Sequence, residues 1–347
     1  DSHPPVALIT GAAGGIGRAT VARFHAAGWR VYATDADETA LANVDWDTVT
    51  TSELGTDTPE PSSDAPGTVV TAPLDVTDAA DRDRVLDRIA TATGQLDCLV
   101  TLAGYALPGA VLDTDPAAVR QLYEVLVHGP TALVRRAFEL LVAAGGRVVT
   151  VTSSLWWAAF PGTGHYGAAK AAAARTTEAL RIECLDTPVS ATTVEPAWVD
   201  TPFESRAADR LPDPERRRAA FDRTYRFHET GRLLDGGPAA VTPAHVARTV
   251  YRPATAPHSR QAGGRRAAAG THPPVPTAPA PRSARRLPTI QVPAPGRDRG
   301  LRPLRPSAGF LIGCSVSSSR ADLPEVTQLC PTPGKPLVMA CGFVFST

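Results

Sequence analysis

The sequence predicts an α/β fold, a doubly wound parallel sheet with helices on both faces. Three observations carry this. Short apolar runs alternate with stretches of helical period from residue 6 to residue 195. The first of them, Val6–Thr10, is apolar throughout up to its closing Thr and reads as a buried parallel strand. The first run passes straight into a glycine-rich turn and then a helix, the connection that opens a βαβ unit.

Taken in order, Val6–Thr10 is the first strand, and residues 15–27 make a helix with Ile16, Ala19, Val21 and Phe24 as its apolar positions. Residues 30–34 form a second strand that ends at Asp35. Residues 50–67 are rich in Thr, Ser, Pro, Asp and Gly and read as a surface insertion. Residues 68–74 are a third strand, ending at Asp75, and a charged amphipathic helix follows over about 78–93. Strands four, five and six fall at 96–103, 146–152 and 189–194, separated by one or two helices over 115–143 and an Ala-rich helix over 164–185. Residues 200–240 are polar with scattered aromatics and read as a lid. Thr242-Pro243 then opens a last helix, with Thr as the cap and Pro in the first turn.

The net charge is zero, but it is unevenly spread. Residues 1–251 hold 32 of the 35 acids and 22 of the 35 bases, a net −10, which leaves +10 for residues 252–347. Residues 252–306 contain 12 Pro, 11 Arg and a single acid, Asp298, with no helical or strand period. Such a segment buries too little apolar surface to offset its ordering entropy. The reading is therefore a folded domain over 1–251 and a disordered Pro/Arg/Ala-rich tail over 252–347. The abrupt loss of pattern at that point resembles translation in a shifted reading frame. No apolar run approaches the length of a membrane span, and no signal peptide is visible. The five cysteines form no CxxC pair and no metal spacing. Cys98, in an apolar strand, reads as a buried free thiol. These features place the expectation with a cytoplasmic protein that uses no metal. The Arg-rich tail has few aromatics and no recognisable module, which argues against nucleic acid as a partner.

Two groups of residues carry chemistry. In Thr10-Gly11-Ala-Ala-Gly14-Gly15-Ile16-Gly17 the glycines allow a pyrophosphate close to the backbone, and the helix behind offers unpaired N–H groups and a favourable dipole. At the first strand–helix junction of a βαβ pattern this points to a dinucleotide rather than a plain turn; no Gly-Lys-Ser/Thr follows, which argues against a phosphate-loop NTPase. Asp35 can accept hydrogen bonds from both ribose hydroxyls of the adenosine and would repel a 2′-phosphate. Ala36 supplies no compensating charge, so NAD is favoured over NADP. A surface Asp that caps the next helix is the competing reading.

Tyr166 and Lys170 stand at i and i+4, on one helix face. An ammonium beside a phenol favours the phenolate and makes the tyrosine a usable acid or base. Lys170 is the sole lysine in the first 334 residues of an Arg-rich chain, where an Arg would serve equally on a merely solvated face. Ser153, just after the fifth strand, offers a hydroxyl to a substrate carbonyl; Ser154 beside it leaves the choice open.

With these residues in view, the chain resembles the classical short-chain dehydrogenase/reductase family, whose fold is a Rossmann-type sheet. The matching residues are TGAAGGIG at 10–17, Asp35, Leu74-Asp75-Val76, Ala103-Gly104, Val151-Thr-Ser153-Ser154, Pro161-Gly162, Tyr166 with Lys170, and Pro196-Ala-Trp-Val199-Asp-Thr201. The resemblance implies that Asp75 and Val76 contact adenine, with Ala103 and Gly104 lining the site. It implies that Ser153 orients the carbonyl and Tyr166 transfers the proton. Lys170 would also hold the nicotinamide ribose, with Pro196, Val199 and Thr201 along the cofactor and Thr201 at the carboxamide. The sequence departs from the family pattern at Leu102, where the family has Asn, at Ala197, where it has Gly, and at Leu126, where its helix Asn supports a proton-relay water. The family's seventh strand, which often supports oligomer contacts, is missing or degraded here.

Together these readings give an oxidoreductase that moves a hydride between NAD(H) and a small-molecule carbonyl or secondary alcohol. Trp156, Trp157, Phe160, Trp198 and Phe203 follow strands five and six, and they line an apolar substrate pocket or else pack beneath the lid. Leu102 and Leu126 motivate an alternative, a cofactor-binding regulatory protein with little or no activity.

Overall fold

In the computed structural model the described residues are 4–52, 67–229, 240–256 and 267–269. They all fall in one compact unit, Asp1–Ala278. The expectations of a mobile insertion over 50–67 and of a disordered tail fall largely or wholly outside the described residues.

The chain alternates strand and helix as the apolar pattern predicts. Strand β1 (Val6–Thr10) leads into α1 (Gly15–Ala26), and β2 (Arg30–Asp35) is followed by two short helices, α2 (Glu38–Ala42) and α3 (Trp46–Ser52). Then come β3 (Thr68–Pro73), α4 (Ala79–Thr93) and β4 (Cys98–Thr101). Helix α5 (Pro116–Tyr123) passes through one π-turn (Glu124–His128) into α6 (Gly129–Ala144), β5 (Arg147–Val151) and α7 (Gly164–Glu183). Strand β6 (Ser190–Pro196) precedes two helices, α8 (Phe203–Ala208) and α9 (Asp222–Glu229), and then α10 (Pro243–Thr255) and β7 (Ala267–Ala269). All seven strands pair in parallel in the order β3-β2-β1-β4-β5-β6-β7.

Successive strand side chains point to opposite faces, so each strand feeds two cores. In β1, Ala7 and Ile9 join Val31, Val100, Val149 and Val194 beneath α1 and α10. Val6 and Leu8 join Leu99 and Val148 beneath α4 and α6. Phe24 of α1 is fully buried and meets Trp29 and Tyr251 edge to face, at centroid distances of 4.9 and 5.1 Å. That aromatic corner seats α10 on α1.

Local signals place the helix ends. Asp78 caps α4 by accepting from Asp81 N at 2.9 Å, and Gly94 ends the helix in the left-handed region at φ 69°. Thr242 caps α10 through His245 N at 3.3 Å, with Pro243 next, as the sequence predicts.

Two features differ from the sequence reading. The last helix runs to Thr255, past the boundary drawn at residue 251. A seventh strand is present in a degraded form: Ala267–Ala269 pairs with Val194–Pro196, only three residues long. Three alanines carry no β-branched or aromatic signal, so pairing with β6, rather than propensity, defines this strand.

Two glycines make contrasting tests of the backbone. A Cβ on Gly17 would lie 2.7 Å from the Ala12 Cα and would also strike the Gly11 carbonyl oxygen, so backbone would have to move. A Cβ on Gly94 would meet nothing within 4 Å, and its positive φ is the sole obstacle. In urea denaturation, Gly17→Ala should cost about 3 kcal/mol or more and Gly94→Ala about 1 kcal/mol. Equal losses would show that the turn after β1 is not tightly packed.

Candidate active site

The sheet order reverses direction at β1: the chain turns to β2 and β3 on one side and to β4 and the later strands on the other. At such a switch point the loops after the strands part and leave a crevice. Here the crevice is a cleft of about 540 Å³. One end is lined by the glycine-rich turn with Asp35, Asp75 and Val76, the other by Ser153, Tyr166 and Lys170.

The turn after β1 is tied across the sheet. The Thr10 hydroxyl donates to the Val100 carbonyl at 3.4 Å and accepts from the backbone N–H groups of Leu102 and Ala103, at 3.0 and 3.1 Å. Gly11, at φ 72°, lies so close to the second loop that a Cβ would sit 2.8 Å from the Ala103 Cα. Asp35 braces the same turn: its carboxylate accepts from Ala13 N at 3.0 Å and from Asp37 N at 3.1 Å. Helix α1 starts at Gly14 without a side-chain cap and without an acid in its first turn, so its leading N–H groups remain available to an anion. These residues fit a dinucleotide. The Gly15 backbone passes beneath Thr201, whose methyl would stand 2.7 Å from an added Cβ.

Helix α7 supplies the other end. Tyr166 and Lys170 are both nearly buried and share one face. The Lys170 ammonium donates to the Val151 carbonyl at 3.0 Å and lies 5.8 Å from the centre of the Tyr166 ring. The Tyr166 hydroxyl is hydrogen-bonded to Ser153, which separates Ser153 from Ser154, although both line the cleft. Burial raises the Tyr166 phenol above its ordinary value, and the Ser153 bond offsets part of that rise. Burial also pushes Lys170 down to about 8. Charge alone would have the ammonium lower the phenol, but desolvation outweighs it in this geometry.

Most of the residues singled out from sequence meet in this one cleft. Gly11, Gly15, Ile16, Asp35, Asp75, Val76, Ala103, Gly104, Pro196, Val199 and Thr201 line it with the Ser153, Tyr166 and Lys170 group. Gly17 is a packing position behind the turn instead, because its missing Cβ makes room for the Gly11 carbonyl. Among the aromatics, Phe160, Trp198 and Phe203 line the cleft. Phe160 and Trp198 stand 6.4 Å apart, and Phe203 lies 6.1 Å from Tyr166. Trp156 and Trp157 do not join them. Trp156 turns into a separate hollow of about 80 Å³ beside Glu195, and Trp157 is 47% exposed. A one-turn 3₁₀ segment after Ser153 rotates them away, which a strand-and-loop reading does not foresee.

The sequence reading missed the π-turn. The Gly129 N–H reaches back to the Glu124 carbonyl, five residues earlier, and adds one residue to the helix where it passes the cleft. Val125 then lines the cleft while Leu126 packs with Leu107, Leu122 and Tyr166. The reading also passed over Tyr105, Arg206 and Arg210, all of which line the cleft. Cys98 is a buried free thiol, as expected. Among the described residues no His, Cys, Asp and Glu group is placed to hold a metal ion, and no helix is long and apolar enough to cross a membrane.

A switch-point crevice with a glycine-rich turn at one end and a buried Ser–Tyr–Lys group at the other sets this chain in the doubly wound α/β class. Residues 5–211 match the short chain dehydrogenase family, and the chain belongs to that family. It is 34% identical over 189 residues to the short-chain dehydrogenase ptmH of Penicillium ochrochloron, a match that covers 51% of this chain and 59% of that protein. The chain thus spans about three fifths of that relative's length. It is 32% identical over 200 residues to the cis-4-hydroxycyclohexanecarboxylate dehydrogenase of Sinomonas cyclohexanicum, covering 57% of this chain and 74% of that protein. A solved short chain dehydrogenase/reductase from Burkholderia phymatum, in complex with NAD, shares the fold, with a TM-score of 0.58 and 24% identity over 72% of this chain and 84% of that one.

Leu126 is 3% exposed, and its side chain fills the space that a Cβ on Gly104 would occupy. Leu126→Asn should therefore lower unfolding free energy by about 2–4 kcal/mol, through lost packing and an unpaired amide. A loss below about 0.5 kcal/mol in urea titration would show that the site accepts a polar anchor.

Proposed function

We propose that this chain transfers a hydride between NAD(H) and a carbonyl or secondary alcohol, with Tyr166 as the proton-transfer residue. The observation that carries it is the meeting of Ser153, Tyr166 and Lys170 at the end of the cleft opposite Asp35. A relative named for a hydroxycyclohexanecarboxylate supports a secondary-alcohol substrate.

The bound dinucleotide supplies the hydride donor or acceptor. Gly11, Gly15 and Ile16 would hold its pyrophosphate, Asp35 the adenosine ribose, and Asp75 and Val76 the adenine. Ala103 and Gly104 would flank it, with Pro196, Val199 and Thr201 beside the nicotinamide carboxamide. In reduction, the Ser153 hydroxyl donates a hydrogen bond to the carbonyl oxygen and holds it beside the phenol. Tyr166 then donates its proton to that oxygen. The Lys170 ammonium stabilises the phenolate left behind and helps hold the nicotinamide ribose. The apolar body of the substrate lies against Phe160, Trp198 and Phe203. Leu102 and Leu126 replace polar anchors, but they leave this proton donor and its supports in place, which favours catalysis over cofactor binding alone.

Tyr166→Phe should reduce turnover by about 10²–10⁴-fold with cofactor affinity preserved. Retention of most activity in a steady-state assay would overturn the assignment.

The pH dependence has a definite sign. Burial keeps the phenol protonated at neutral pH, the form reduction needs, and Lys170 is charged below about 8. Carbonyl reduction should hold steady at neutral pH and decline as pH rises through about 8, where the ammonium loses its proton. Lys170→Arg stays protonated and should shift that decline upward; an unmoved profile in this variant would assign it to another group.

Asp35 and a 2′-phosphate would repel by about 1 kcal/mol or more per charge at close range, so NADH should bind about 10-fold or more tighter than NADPH. Asp35→Ala should narrow the gap. Equal binding of the two cofactors by the parent protein would show that Asp35 serves only to brace the turn.

A further inference from the structure

The cleft contains a charged feature that hydride transfer to a neutral ketone does not use. Phe203, Arg206 and Arg210 stand at i, i+3 and i+7, on one side of α8 and the turn that follows it, and all three line the cleft. Phe203 marks where that side points, because its ring lies 6.1 Å from the ring of Tyr166. Arg206 follows one helical turn later, roughly 5 Å along the axis. Arg210 is held in place from two sides. Its Nη1 donates to the Arg206 carbonyl at 3.1 Å, and its guanidinium carbon lies 4.8 Å from the ring centre of Tyr105. Tyr105 directly follows Gly104 on the opposite wall, so this contact bridges the cleft.

Residues 1–251 carry a net −10, and among the described residues six arginines pair with acids: Arg84 with Asp81, Arg136 with Asp83 and Asp87, Arg175 with Glu178, Arg216 with Asp213, Arg217 with Glu229, and Arg218 with Asp113. Among the described residues, neither Arg206 nor Arg210 has a carboxylate partner. Arg210 rests on an aromatic face, which positions a guanidinium without neutralising it. The glycine-rich turn and the start of α1 already serve a pyrophosphate, at the other end of the cleft. Two guanidiniums with no carboxylate partner among the described residues, lining the same cleft as Tyr166, suit a carboxylate, which a planar fork binds through paired hydrogen bonds.

We infer that the substrate is a keto acid or hydroxy acid, its carboxylate bound by Arg206 and Arg210 and its reacting carbon set beside Tyr166 by an apolar spacer against Phe203. This rests on the hydride-transfer reading above and adds the substrate class. Tyr105 is a positioning residue that acts through Arg210.

The test compares each acid with its neutral ester. The probes are 4-oxocyclohexanecarboxylate and 4-acetylbenzoate and their methyl esters, assayed with NADH. The acids should be preferred, mainly through KM. Arg206→Met and Arg210→Met should each lower the acid-to-ester ratio of kcat/KM by about 10- to 100-fold. Arg210→Lys, which keeps the charge, should recover part of it. Thermal melting confirms that the variants fold, and NADH titration separates the substrate from the cofactor. A parent protein that treats acid and ester alike would overturn the proposal, as would variants that weaken NADH binding instead of acid recognition. Calorimetric binding of the same probes to the NADH-loaded protein reads the preference without turnover. Preferential acid binding with no turnover of any probe would leave the carboxylate site standing and count against the hydride-transfer reading; equal binding of acid and ester would sink the carboxylate site alone.

Discussion

The site depends on one close approach, that of Gly11 to Ala103 where the sheet reverses its strand order. At that point a crevice must open, because the loops leave β1 and β4 in opposite directions. An open crevice would let those loops drift. The Thr10 hydroxyl prevents this by bonding three backbone groups of the neighbouring strand and loop. Glycine at 11 allows the loops to meet, since a Cβ would be 2.8 Å from the Ala103 backbone. Asp35 then fixes the far side of the same turn through Ala13 N. A residue placed by the sequence as a ribose acceptor is thus also a brace. The two uses are compatible, because each carboxylate oxygen has more than one lone pair.

Much of this was legible in sequence. The six longer strands were legible as short runs between helical stretches, standing in order from Val6 to Val194, with the central ones the most apolar. Tyr166 and Lys170 were legible because a single lysine in the first 334 residues of an Arg-rich chain calls for a chemical reason. What stayed hidden has physical causes. The π-turn at Glu124–His128 depends on a single extra residue in a helical register, and apolar periodicity tolerates that shift. The strand at Ala267–Ala269 has no pattern of its own and exists through pairing with β6. Trp156 and Trp157 follow the fifth strand just as Phe160 does, yet one 3₁₀ turn sends them elsewhere. Arg206 and Arg210 lay within a polar stretch where charge looked like solvation.

The lid shows why long-range contacts escape a local reading. Tyr225 donates to the Asp113 carboxylate at 2.8 Å, and the Arg218 guanidinium holds the other oxygen of the same carboxylate. The partners are more than a hundred residues apart in the chain. His228 reaches the Pro161 carbonyl at 2.8 Å, over Gly162, whose positive φ and lack of a side chain leave room for the imidazole. Asp113 thus anchors α9 and its preceding turn to the loop before α5, while His228 anchors the same helix to the loop before α7.

Leu126 acts on Lys170 through the packing around it. Leu126 packs against Gly104, and the Lys170 ammonium stands 4.0 Å from where a Cβ on that glycine would be. Apolar packing on this side withholds solvent, and the Val151 carbonyl is the hydrogen-bond acceptor that the ammonium finds. Desolvation with a single neutral acceptor accounts for the depression of Lys170 to about 8. A lysine poised there is still charged at neutral pH but gives up its proton more readily than an exposed one. The fold thereby places this charge close to the edge of its own stability, and a buried arginine, which does not deprotonate, would lack that property. This is a physical reason for lysine to stand at this position, in a stretch of 334 residues that otherwise draws its side-chain positive charge from arginine.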